Sequence, residues 1–396
     1  MVTPLPTTEE IPIPADFVTG TWNPFGSEIG GQGLGDRFGF SIDLSSDGRT
    51  VVLGSDSLTV YYFDADNSRD WQLLGQIIPG ESDSGFGYSV ALSSNGRIMA
   101  VGATGGSGGT GTATGSVQVY SYQEDSSQWE QIGSTLLGDA GSDDFGSSVD
   151  LSSDGTVLAV GARQGSLSTD VPGYAQVYRF SSSSWIPYGQ QLVGDVDNDG
   201  FGYDLSLSSD GRTLAVGAWL YDAAGVKDGG LIRVYTYNVA TLRWERLGQD
   251  LVGATENARF GFTVALSADG QTVATSGGFQ QTVSVLVYRP QGWEVLGREI
   301  QGSTGDSIAL SADGRVLAST SSAASPNGIT RAGLAAVYRY DPESLDWLVI
   351  DQAIPGTSAD NNFGDSVALS ADGMTLAVGA DGYFKEFGTA RVFALQ

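Results

Sequence analysis

The chain has 396 residues, 46 acidic against 19 basic side chains and a net charge of −27, with neither cysteine nor histidine. The missing cysteines exclude disulfides and thiolate chemistry, and the missing histidines remove the commonest general base and the usual zinc ligand. The charge, with lysine only at Lys227 and Lys385, disfavours nucleic acids and anionic membranes and favours cations, basic proteins or a saline medium.

In chain order, residues 1–16 come first, with four prolines and no periodic pattern. They are expected to be a flexible N-terminal segment. Trp22 then opens a Trp-x-x-x-Gly-x-x-Ile-Gly stretch without the strands that should precede it. From Phe38 the chain writes FGFSIDLSSDG, and near copies start at Phe86, Phe145, Phe201, Phe260, Thr304 and Phe363. The turn residues Asp47, Asn95, Asp154, Asp210, Asp269, Asp313 and Asp372 lie 44 to 59 residues apart. A repeat of roughly 40–50 residues with several strands is the signature of a β-propeller blade.

The second unit shows the expected elements. Residues 86–93 alternate large and small side chains, so the two sets lie on opposite faces of a strand. Ser94-Asn95-Gly96 is a tight turn, because Asn and Gly both tolerate positive φ. Residues 97–103, 116–122 and 129–137 are expected as the second, third and fourth strands. Fourth strands start at Trp71, Trp129, Trp185, Trp244, Trp293 and Trp347, which is six for seven units. The last unit stops after its third strand, so Trp22 is expected to supply the missing one and close the ring. The fold class is therefore all-β, a seven-bladed propeller of four-stranded antiparallel blades over residues 17–396. Helical periodicity is absent, no stretch approaches 18 apolar residues and no signal peptide is recognisable, so no membrane insertion is expected.

The unit Phe-Gly-x-Ser-Val-Ala-Leu-Ser-x-Asp-Gly, with Val-Gly-Ala closing the second strand at Val101, Val160, Val216 and Val378, resembles the FG-GAP repeat of the integrin α-subunit propeller and of many extracellular propellers. The match covers residues 17–396. The resemblance implies a secreted or cell-surface adhesion or ligand-binding module, and it does not imply an enzyme. In that family several blades carry a calcium loop between the first two strands. Here that connection is four residues, Ser-Ser-Asp-Gly or a close variant, too few for the six to eight oxygens of Ca²⁺. Its aspartates are read as turn formers.

A different cluster, Asp195-Val196-Asp197-Asn198-Asp199-Gly200, has oxygen ligands at alternate positions, like the first half of a calcium loop. The Glu that an EF-hand spacing requires is replaced by Ser206. The readings are an acidic turn or a partial Ca²⁺ site on Asp195, Asp197 and Asp199; no cofactor is otherwise required.

Propeller topology places the 4→1 loops and the 2→3 loops on one face. The 4→1 loops are acidic, and the 2→3 loops are long and unlike one another. Variable loops on a constant scaffold are where function concentrates. The candidate ligand-binding residues there are Trp219, Tyr221, Asp222, Tyr383, Phe384 and Phe387, as anchors for a protein or stacking platforms for a glycan. Three readings follow: a non-enzymatic adhesion or ligand-binding propeller; a carbohydrate-binding or carbohydrate-active one, since paired carboxylates hydrolyse glycosides without histidine; or a structural domain of a larger surface protein. The expected molecule is an extracellular or cell-surface monomer.

Overall fold

The computed structural model describes residues 20–31, 37–81, 84–105, 114–139, 143–164, 172–223, 225–277, 282–382 and 388–396. They form seven antiparallel sheets in a closed ring around an axial channel. Blades are numbered 1 to 7 from the unit of Phe38 to the unit of Phe363. The one helical element among the described residues is a 3₁₀ turn at Pro326–Gly328.

Blade 3 shows the pattern. Its innermost strand Phe145–Leu151 pairs with Val157–Ala162, which pairs with Tyr174–Ser181. Two short segments, Ser184–Pro187 and Leu192–Val193, both pair with that third strand. The fourth strand is thus broken, where the sequence pattern suggested one continuous strand. The break holds Gly189 at φ 88°, and a Cβ there would stand 2.6 Å from Cδ1 of Trp244 in the next blade. The chain bends to make room for the neighbouring indole. The indole then donates from Nε1 to the Tyr188 carbonyl at 2.7 Å. Trp71, Trp129, Trp185, Trp293 and Trp347 make the same bond to their preceding blades.

The ring closes as the missing seventh strand requires. Trp22–Pro24 and Ile29–Gly30 pair with Thr389–Leu395 and complete blade 7. This junction differs from the other six. Asp351, at φ 60°, stands where the others have Gly26, Gly75, Gly133, Gly189, Gly248 or Gly297. Its Oδ2 accepts the Trp22 backbone N–H at 3.0 Å, while the buried Trp22 Nε1 has no hydrogen-bond partner.

The repeat signature has a physical cause in the contact between blades. A Cβ on Gly102, Gly161, Gly217 or Gly379, the glycine of Val-Gly-Ala, would lie 2.1–2.2 Å from the carbonyl oxygen of the next blade's Phe-Gly glycine. Neighbouring blades therefore touch backbone to backbone. Blades 5 and 6 have Ser276 and Thr320 at this place, and their hydroxyls donate to that carbonyl at 2.7 and 2.6 Å. The phenylalanines fill the same seam; Phe145, Phe201 and Phe363 are fully buried.

At the opposite end lie the short turns. Asp47 Oδ1 accepts the Ser45 hydroxyl at 2.6 Å and the Arg49 N–H at 3.0 Å, the turn-forming role expected of it. The second turn residues are linked head to tail by backbone bonds. Ser46 donates to Ser94, Ser94 to Ser153, Ser153 to Ser209, Ser209 to Ala268, Ala268 to Ala312, Ala312 to Ala371, and Ala371 back to Ser46. All seven bonds measure 2.9–3.0 Å, so the hydrogen-bond ring is closed.

Candidate functional site

Each innermost strand runs from the loop face to this turn ring, so the residue after its Phe-Gly glycine sits at the loop-face end. Round the ring that position holds Phe40, Tyr88, Ser147, Tyr203, Phe262, Asp306 and Asp365. The residue just after each second strand reaches the same level. It is Ser55, Thr104, Arg163, Trp219, Gly277, Ser322 and Asp381. These two positions form the mouth of the channel.

Blades 1 to 5 make an aromatic arc. Phe40 and Tyr88 touch across their blades with centroids 5.3 Å apart, as do Tyr203 and Phe262 at 5.2 Å. Trp219 packs on both members of the second pair, at 5.3 and 5.8 Å. Blade 3 carries the small Ser147, and the gap is filled by Arg163. Its guanidinium carbon lies 5.3 Å from both the Tyr88 and the Tyr203 ring. Asp144 accepts its Nε–H at 3.1 Å. The guanidinium also comes within hydrogen-bonding reach of the Tyr203 side chain, so both rings and Asp144 fix its position. Arg37 lies over the Phe40 ring and Arg259 over the Trp219 ring, each against one ring rather than two.

Blades 6 and 7 make an acidic wall. Asp306 accepts the N–H and hydroxyl of Ser322 at 2.7 and 2.8 Å. Burial and the neighbouring Asp381 carboxylate push Asp365 up to about 8. Asp381 in turn accepts from Asn362 at 3.2 Å and lies 3.6 Å from Arg37.

Backbone conformation marks the same rim. The residue before each phenylalanine is left-handed, with Gly85 and Gly200 in two blades but Arg37, Asp144, Arg259 and Asn362, at φ 50–54°, in four. A non-glycine there costs about 1–2 kcal/mol, and such strain clusters at functional sites.

Below the mouth, the innermost strands enclose a cavity of about 360 Å³. Asp43, Asp150 and Asp204 face it and bridge blades, accepting the N–H groups of Leu92, Leu207 and Val264 at 2.6–2.7 Å. Removal from water raises Asp43 and Asp150 to about 7 and Asp204 to about 6.

Of the residues singled out from the sequence, Trp219 stands in the mouth. It lies against the Asp195–Asp199 loop, with its indole over Gly200 and the Leu220 N–H donating to the Asp199 carbonyl at 3.1 Å. Tyr221 packs on the core between blades 3 and 4. Asp222 is exposed and accepts the Asp228 N–H at 2.7 Å, bracing its own loop. Tyr383, Phe384 and Phe387, and the segment 1–16, lie outside the described residues.

The three aspartates of the possible calcium loop point apart. Asp195 is ion-paired with the buried Arg233 and with Arg246, and Asp197 is exposed. Asp199 turns inward, where Oδ1 accepts the Phe201 N–H at 2.8 Å and burial pushes it up to about 6. Among the described residues no three carboxylates gather closely enough to hold an ion, and Ca²⁺ at Asp195 would have to displace Arg233.

Sequence reasoning aimed at long loops and passed over Tyr203, Phe262, Arg163 and Asp365. The signal for them was present: they occupy positions that vary inside an otherwise constant repeat. In comparisons with known proteins, no family model and no curated protein matches the chain. Among the described residues no helix is long and apolar enough to cross a membrane.

Proposed function

We propose that this chain is a non-enzymatic ligand-binding propeller whose site is the channel mouth on the loop face. The observation that carries the reading is the convergence of the two variable repeat positions at one place. Elsewhere the units largely repeat the same contacts, apart from the Asp351 junction of blades 6 and 7 and the Ser276 and Thr320 seams. At the mouth they diverge into an aromatic arc with stacked arginines on one side and carboxyls on the other. Half-buried aromatic rings and preorganised guanidiniums supply the anchors that binding surfaces rely on.

The repeat motif places the domain, on this reading, among FG-GAP-type propellers, on an extracellular or cell surface, with a protein or glycan as ligand. The Trp219, Tyr203 and Phe262 wall can serve either an apolar peptide side chain or a stacked sugar ring. Ionic strength separates the two, since charge-guided protein binding weakens with salt and sugar stacking does not. A glycan array with a hydrolysis screen, beside capture of protein ligands, supplies candidates. Hydrogen-exchange footprints of any ligand found should fall on the mouth. Trp219→Ala and Tyr203→Ala should each weaken it at least tenfold while the melting temperature stays near that of the parent. A footprint on the Ser-Asp-Gly turns or the outer strands overturns the proposal.

A further inference from the structure

The mouth is polar in a specific direction. In a ring of seven, the blade opposite blade 3 is the junction of blades 6 and 7. Arg163 projects from blade 3, and Asp306, Asp365 and Asp381 belong to blades 6 and 7. A fixed guanidinium therefore faces a cluster of carboxyls across the channel opening. Tyr88 and Tyr203 flank the guanidinium and hold it in place. Among the described residues its one carboxylate partner, Asp144, engages Nε, and the guanidinium carbon lies over both the Tyr88 and the Tyr203 ring.

On the opposite side burial and the Asp381 carboxylate both push Asp365 toward its protonated form. An added cation opposes that push. The two walls thus ask for opposite charges on one molecule. Adjacent ring centroids at 5.3 and 5.2 Å imply about 12 Å between opposite positions of a regular seven-membered ring. Hydrogen bonds of about 2.9 Å at each end leave about 6 Å for the ligand, roughly the span of an extended dipeptide.

We infer that the mouth takes a short zwitterionic, peptide-type ligand, its carboxylate on Arg163 and its ammonium on Asp306 and Asp365, with apolar side chains against the tyrosines. This rests on the proposed function in its use of the mouth, and it adds the ligand's class and orientation.

The test uses the full chain and the dipeptide Ala-Phe with free ends, in calorimetric titrations beside the N-acetylated and the C-amidated peptides. Blocking either end should weaken binding tenfold or more. Arg163→Gln should make the free-acid and amide peptides bind alike while the amine preference persists. Asp365→Asn should do the reverse, and Arg163→Lys should restore part of the acid preference. Equal binding of free and blocked peptides overturns the inference, as does no binding of the free peptide at millimolar concentration. The peptide comparison needs no variant, so misfolding of a substituted chain cannot mask the outcome. If another ligand footprints on the mouth while these peptides fail, the mouth reading stands and the zwitterion falls. If every ligand found footprints elsewhere, both fall.

Discussion

Gly161→Ala adds one methyl group at the closest approach of blades 3 and 4. Its Cβ would stand 2.2 Å from the Gly202 carbonyl oxygen and 3.4 Å from Leu205 Cδ2. A comfortable carbon–oxygen contact is about 3.3 Å, so the blades must part locally by about 1 Å. The seam they share holds Val157, Val177, Leu205, Leu214 and Val216, all buried. A gap of that size removes a quarter to a half of each dispersion contact across it. The expected cost is that of overpacking, about 1–3 kcal/mol. Gly161→Ser should fall between parent and alanine, because Ser276 shows a hydroxyl bonding the approaching carbonyl at this place. Gly30→Ala is the control, since a Cβ there meets nothing within 4 Å. Urea midpoints read by tryptophan fluorescence compare the four chains. If Gly161→Ala unfolds at the same midpoint as Gly30→Ala, the seam is not a rigid backbone contact and the account of the repeat signature is wrong.

The tryptophans give a second comparison. Trp129→Phe strands the Leu74 carbonyl, whereas Trp22→Phe removes a buried donor that has no partner, so the first should cost about 1–3 kcal/mol more than the second in denaturant melts. Stability should also depend on pH through Asp43 and Asp150, whose carboxyls rise from 3.8 to about 7 on burial. The folded chain holds protons there that the unfolded chain releases, so their stabilisation is complete below about pH 4 and lost as pH rises through 7. The melting temperature should therefore fall between pH 5 and pH 8, and the double variant Asp43→Asn, Asp150→Asn should flatten that slope even if it is less stable overall. Calcium titration should give no saturable heat, because Arg233 already neutralises Asp195; heat that vanishes in Asp197→Ala would instead support the calcium reading of the Asp195–Asp199 loop.

The fold was legible because its cause is repeated. Seven repeat units, six of them with Phe-Gly, and six tryptophan strands mark the blades, and the orphan Trp22 announces the closure. What the pattern did not reveal is where strands break. Gly133 and Gly189 sit inside stretches that read as continuous, and the reason for their bend is an indole some 50 residues away in the next blade. The turn aspartates were legible for the same local reason that makes Ser-x-Asp-Gly a turn. The mouth was legible only in part. Trp219 stood out as an aromatic residue in a loop. Arg163, Tyr203 and Asp365 look ordinary along the chain, and only the ring brings blades 2, 3 and 4 to one guanidinium. Tyr221 shows the converse: beside Trp219 in sequence, it turns into the core instead.

A scaffold with sevenfold contacts carries a mouth with no symmetry at all. The hydrogen-bond ring at the turn end treats every blade alike, with bonds of 2.9–3.0 Å throughout. Were the molecule to bind through that end, or through the tryptophan seams, several near-equivalent sites would compete. Among the described residues the mouth has one arginine between two rings, one Trp219 wall and one carboxyl cluster, so on the proposed function it offers a single site with one orientation. The expected stoichiometry is therefore one ligand per chain. Asp269→Asn, in the turn at the other end, should leave affinity unchanged, because seven residues of mostly extended chain, about 20 Å, separate it from Phe262 at the mouth. Calorimetry with a saturating ligand reads both quantities. Two or more equivalent sites per chain, or a turn-ring substitution that weakens binding as much as Tyr203→Ala, would place recognition on the repeated contacts rather than on the residues that break the repeat.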